Sequence, residues 1–279
     1  MPDSDPRRDP PAEPRPVVRS RHLEAQRRDA VEAPILGSPR RGSLPFLHLL
    51  PNLVTILGLC AGLTAIRFAF DGRFEVAALL IIFAAVIDGL DGLLARKLKA
   101  QSSFGAELDS LSDFLSFGVA PALVVFFFAL TDAPGFGWIF ALIFTICCCL
   151  RLARFNVTRD APPPPGRAHV TGVPAPAGAL LAMLPLYVTL GGIVNAAAAP
   201  LLVALYLGAV GCLMVSRIPT LSPKGIRISR DHVPFVLVAT AGAVGMMFTR
   251  FWLLMVLLVV AYIFAVGYGL VTARRRPTF

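Results

Sequence analysis

Hydrophobic positions in this chain gather into eight long runs, over 46–70, 75–95, 108–130, 136–152, 176–194, 198–215, 233–249 and 251–271. Each run is roughly as long as the stretch of about 20 residues that an α-helix needs to cross hydrocarbon. The pattern predicts an all-α, polytopic transmembrane helical bundle of about eight spans. Pro121 is expected to bend or break the third, because proline removes a backbone donor and crowds the preceding turn. Residues 1–43 stand apart: they are rich in Arg, Pro, Asp and Glu and poor in aromatic residues, the make-up of a disordered tail. No signal-peptide pattern opens the chain. The expected division is a tail at 1–43, a transmembrane core at 44–215, and a loop with two C-terminal transmembrane helices at 216–279.

Composition supports the membrane reading. Of the 279 residues, 56% are hydrophobic and 15% charged, and mean hydropathy is +0.71, well outside the mix of soluble domains. A net charge of +9 resembles a nucleic-acid signal until it is mapped onto the runs. Twenty-three of the 26 Lys and Arg then fall before the first run or at 96–99, 151–167, 217–230 and 274–276, all on one side. Arg67, Arg73 and Arg250 sit at the other side. The positive-inside rule makes the charge a topology signal: both termini and the loop near 97–102 are cytoplasmic, and no nucleic acid is implied. All five cysteines lie within the runs, where they act as small apolar residues. Consecutive Cys147, Cys148 and Cys149 would point about 100° apart on a helix and cannot converge on one ion.

Acidic residues break the pattern in one window. Between 88 and 113 the chain reads DGLDGLLARKLKAQSSFGAELDSLSD, with Asp88, Asp91, Asp109 and Asp113 inside or beside the second and third runs. A charge at bilayer depth costs roughly 2.5–3.5 kcal/mol on insertion scales, so four together point to a job, the holding of cations. Asp88 and Asp91 are three residues apart and Asp109 and Asp113 four apart, so each pair shares a helix face. A short intervening loop makes the two helices antiparallel neighbours, which brings the pairs together. Carboxylates without His or Cys partners suit hard cations such as Mg²⁺, Mn²⁺ or Ca²⁺, and Mg²⁺ commonly keeps positions for substrate phosphate. Gly89, Gly92, Ala95 and Gly105 allow close approach, and Arg96 offers a planar fork to a diphosphate. Glu107, two residues from Asp109, points elsewhere.

These residues resemble a known family: DGLDGLLAR, eight residues, Gly105, three residues, Asp109, three residues, Asp113 matches the signature of the CDP-alcohol phosphatidyltransferases. Family members displace CMP from a CDP-linked lipid or alcohol with a hydroxyl acceptor, using two divalent cations. The resemblance implies that Asp88, Asp91, Asp109 and Asp113 ligate Mg²⁺ or Mn²⁺ and that Asp113 is also the base. It further implies that Gly92, Ala95, Arg96 and Gly105 line the cytidine diphosphate site, joined by Asn52 and Thr55 of PNLVT, and that the protein is a homodimer.

The signature does not choose the acceptor. DSLSDFLSFGVAPA, then RLARFN at 151–156, GVPAPAGA at 172–179 and SRIPTLSPK at 216–224, is similar to the pattern of membrane-bound phosphatidylserine synthases. That similarity implies CDP-diacylglycerol and L-serine as substrates, in a bacterial cytoplasmic membrane with the site facing the cytoplasm. Arg151 and Arg154, three residues apart on one helical face, are candidates to clamp the serine carboxylate or a lipid phosphate. Two alternatives stay open: a related enzyme using choline, glycerol phosphate or inositol, and a cation transporter with carboxylates along its path. Transport sites tend to lie near the bilayer midplane, whereas these acids gather by a cytoplasmic loop.

Overall fold

All regular structure is helical, with no strand among the described residues, in a computed structural model that describes residues 49–98, 102–159, 172–216 and 233–274. The helices are α1 (Leu50–Phe70), α2 (Phe74–Leu98), α3 (Ser103–Leu130), α4 (Pro134–Arg159), α5 (Ala175–Ala182), α6 (Leu184–Leu190), α7 (Pro200–Val215), α8 (Val233–Thr249) and α9 (Phe251–Arg274). Among the described residues α1, α2, α3, α4 and α9 contain stretches long and apolar enough to cross a membrane, while α7 and α8 are apolar but shorter. The tail at 1–43, most of SRIPTLSPK and the basic segments at 160–171 and 217–232 lie outside the described residues.

Helix α1 is the spine of the site. Pro51 sits in its first turn, where a missing N–H costs nothing, and Pro51, Thr55, Gly58, Gly62, Ala65 and Ala69 form one buried stripe. Small residues on such a stripe let helices approach closely, the usual route to packing between apolar helices in lipid. Ala77, Ala78, Ile81 and Ala84 of α2 are likewise buried, and α1 and α2 pack along their length. Helix α3 leans on α1, α2, α4 and α5 and is the most enclosed of the long helices.

Two prolines act differently from one another. Pro121 does not break α3. The helix widens instead into i→i+5 turns at Phe114–Val119 and Phe126–Leu130, a local adjustment by which membrane helices absorb a missing donor. Pro185 does interrupt a helix: the run expected as one span over 176–194 is two short helices, α5 and α6, joined at Met183. The Leu181 carbonyl, which residue 185 would otherwise serve, accepts instead from the Tyr206 hydroxyl at 2.8 Å. The third helix also starts earlier than expected, at Ser103, because Ser102 caps it by accepting from the Gly105 N–H at 3.0 Å.

Candidate active site

The last three turns of α2 and the first three of α3 face each other across α1. Asp88, Asp91 and Asp109 each bring a carboxylate oxygen to within 4.8 Å of the others, and Asp113 lies within hydrogen-bonding reach of Asp88. The four acids thus line one cleft, whose floor is Thr55 and Gly58 of α1 with Ser112 and Ser116 of α3. Glu107 is exposed and outside it.

Polar groups on α1 and α3 hold the acids in place. Asp91 is only 5% exposed and accepts from the Thr55 hydroxyl at 2.8 Å, with the Pro51 carbonyl as a second acceptor within reach at 3.1 Å. Ser112 donates to the Thr55 carbonyl and Ser116 to the Gly58 carbonyl, both at 3.3 Å. A Cβ on Gly62 would lie 2.9 Å from Ser116 Cα, so only glycine admits α3 this close. Gly58 and Gly62 therefore mirror Ser112 and Ser116, each pair four residues apart. Neither serine is a fixed position of the acidic motif, and the one signal for them in the chain is this matching spacing of small residues.

The residues expected at the nucleotide are placed unevenly. Asn52 and Gly105 meet: a Cβ on Gly105 would sit 2.8 Å from Asn52 Oδ1 and 3.0 Å from Ser102 Oγ. Among the described residues nothing lies within 4 Å of where a Cβ on Gly89 or Gly92 would sit, so these glycines leave space beside the acids. Ala95 and Arg96 belong to the last turns of α2, with side chains outside the described residues.

Arg151 and Arg154 part company. Arg151 lies near enough to Asp113 and Asp88 for charge interaction, and its Nε is buried without a hydrogen-bond partner among the described residues. Arg154 instead donates from Nη1 to the Val215 carbonyl at 2.8 Å, tying α4 to the end of α7. Asn156 pairs its amide with Ser110 at 3.0 Å, next to Asp109 in sequence. Cys148 packs on α3, 3.1 Å from the position of a Gly118 Cβ, and the five cysteines are all free thiols.

The donor set fits a hard divalent cation. It contains carboxylate and hydroxyl oxygens and no imidazole or thiolate, the preference of Mg²⁺, Mn²⁺ and Ca²⁺. The three clustered oxygens lie within 4.8 Å of one another, a spacing comparable with the roughly 4.2 Å between opposite ligands of one Mg²⁺.

Apolar helices of spanning length around a dense, oxygen-only acidic cleft define an integral membrane protein with a candidate metal centre. The chain belongs to the CDP-alcohol phosphatidyltransferase family, whose model matches residues 48–208. It is similar to the CDP-diacylglycerol-serine O-phosphatidyltransferase of Mycobacterium tuberculosis (strain ATCC 25618 / H37Rv), with 47% identity over 148 residues, covering 52% of this chain and 51% of that one. The Bacillus subtilis (strain 168) protein of the same name is 37% identical over 139 residues, 50% of this chain and 76% of that one. An archaetidylserine synthase of Methanothermobacter thermautotrophicus is 37% identical over 136 residues, 47% of this chain and 54% of that one. The chain spans about half the length of most of the curated relatives it matches.

Proposed function

We propose that the protein transfers the phosphatidyl group of CDP-diacylglycerol to the hydroxyl of L-serine, giving phosphatidylserine and CMP. The observation that carries this reading is the convergence of Asp88, Asp91, Asp109 and Asp113 on one cleft in a chain of this family. Relatives whose names specify serine, with different lipid donors, support the choice of acceptor.

In this reading the four aspartates hold two Mg²⁺ or Mn²⁺ ions, which when bound neutralise the diphosphate and the departing CMP. Asp113 accepts the proton of the serine hydroxyl as its oxygen forms a bond to the lipid-side phosphorus and the bond from that phosphorus to the CMP oxygen breaks. A positioned base of this kind contributes about 10²–10⁴-fold. Thr55 fixes the rotamer of Asp91, and Asn52 with Gly105, Gly92, Ala95 and Arg96 forms the cytidine diphosphate site. Arg151 is the residue that meets the acceptor, while Arg154 fixes α4 against α7.

The topology that goes with this function has eight membrane crossings, the Pro185-interrupted pair α5 and α6 counting as one, with both termini and the cleft on the cytoplasmic side of a bacterial inner membrane. The distribution of Lys and Arg supports it. The protein acts as a homodimer and takes its lipid laterally from the bilayer.

The test is CMP release by purified protein given CDP-diacylglycerol and Mn²⁺, with serine, inositol, glycerol phosphate and choline offered separately. Serine-dependent release, lost on chelation and restored by Mn²⁺ or Mg²⁺, is the expected result. Release with another acceptor alone would overturn the substrate, and no release from folded protein would overturn the enzymatic reading.

A further inference from the structure

Helix α9 lies outside the segment that matches the family, residues 48–208, and its amino acids follow no recognised motif. It nevertheless reaches the neighbourhood of the aspartates. Its Tyr262 lies close enough to Arg151 for charge interaction, and Arg151 in turn interacts with Asp113 and Asp88. Arg151 Nε and the Tyr262 hydroxyl are both buried with no hydrogen-bond partner among the described residues. Buried donors without acceptors are costly enough that folded proteins rarely leave them so. Two of them within charge-interaction range of each other, one on the arginine that interacts with the proposed base, mark a place where a ligand acceptor belongs.

The chemistry of the missing group follows from the donors. A guanidinium presents N–H groups in a planar fork that matches two oxygens of an anion, and a phenol adds one further O–H. A neutral acceptor would pair with part of the fork and bring no counter-charge, and a cationic group would be repelled. Resting on the serine reading given above, we propose that Tyr262 of α9 and Arg151 of α4 form an anion subsite that receives the charged group of the acceptor, for serine its carboxylate, so that its hydroxyl is held toward Asp113. The C-terminal helix then supplies a specificity-determining residue to a site built by the family core.

The test compares wild type with Tyr262→Phe, which removes one hydroxyl and keeps the ring. The readouts are CMP-release kinetics with serine and with serine amide, which has the hydroxyl but no carboxylate, and thermal melting of the ligand-free protein. The expected result is a serine KM raised about tenfold or more, the size of losing a hydrogen bond to a charged group. The kcat and the KM for CDP-diacylglycerol are unchanged, serine amide is used equally poorly by both proteins, and melting is not lowered. An unchanged serine KM, or equal losses for serine and its amide, overturns the subsite and leaves the serine reading standing. Should wild type use glycerol phosphate instead, a raised KM for it in Tyr262→Phe supports the subsite while the serine reading fails. Use of choline or inositol alone overturns both.

Discussion

The two ends of the α1, α2 and α3 group are built from different materials. At the acidic end the helices meet through Thr55, Gly58 and Gly62 against Ser112 and Ser116, with hydroxyls donating to the neighbouring helix. At the opposite end they meet through rings: Phe70 with Phe127 at 5.7 Å, Phe74 with Phe128 at 5.5 Å and Phe126 with Trp138 of α4 at 5.5 Å, all edge-on. Aromatic edges fill space and tolerate small shifts in packing. A buried carboxylate such as Asp91 tolerates no such shift, since its desolvation is offset only by partners at hydrogen-bond distance. Within this helix group, glycine, serine and threonine contacts lie beside the acids, where position matters, and rings fill the other end, where cohesion suffices.

Breaking the acidic end should therefore cost function first. The largest effect is expected for Asp113→Asn, which keeps the shape and removes the proposed proton acceptor. CMP release should fall about 10²–10⁴-fold, with the melting temperature held. Next comes Thr55→Val, which deprives Asp91 of its donor. Residues that orient metal ligands are commonly worth about 10–100-fold in metal affinity, so the Mn²⁺ concentration giving half-maximal activity should rise by that factor.

Gly62→Ala perturbs the helix approach rather than the acids. Its new Cβ meets the backbone of Ser116 at 2.9 Å, and overpacking of this kind costs about 1–3 kcal/mol, visible as a lower melting temperature together with reduced activity. The smallest functional effect belongs to Phe126→Leu at the aromatic end. Loss of its ring contacts with Phe127 and Trp138 should cost about 0.5–1.5 kcal/mol per pair in thermal stability. Activity per folded molecule should stay unchanged, and a loss of activity as large as that of Thr55→Val would show that the two ends are not separable.

Much of this division is legible in the chain. The runs of apolar residues coincide with helices, and the three- and four-residue spacing of the aspartates anticipates shared faces, since both signals are local. Pro185 carried a signal that hydropathy alone passed over: a Pro in the middle of an apolar run interrupts a helix wherever a neighbour, here Tyr206, can serve the orphaned carbonyl. Pro121 carried the same signal with a different outcome, because α3 takes up the missing donor as wider turns.

By itself the sequence determined the helical class, the family and the acids that gather at one cleft, because hydropathy, spacing and motif depend on near neighbours along the chain. Only the tertiary structure decided which of two arginines on one helical face turns toward the acids and which is spent on the Val215 carbonyl. It also decided that Ser112 and Ser116 meet Thr55 and Gly58 and that Tyr262, more than a hundred residues further on, comes within charge-interaction range of Arg151. Those contacts follow from how the helices cross, and a crossing is set by the complementarity of two surfaces, which neither surface's sequence contains alone.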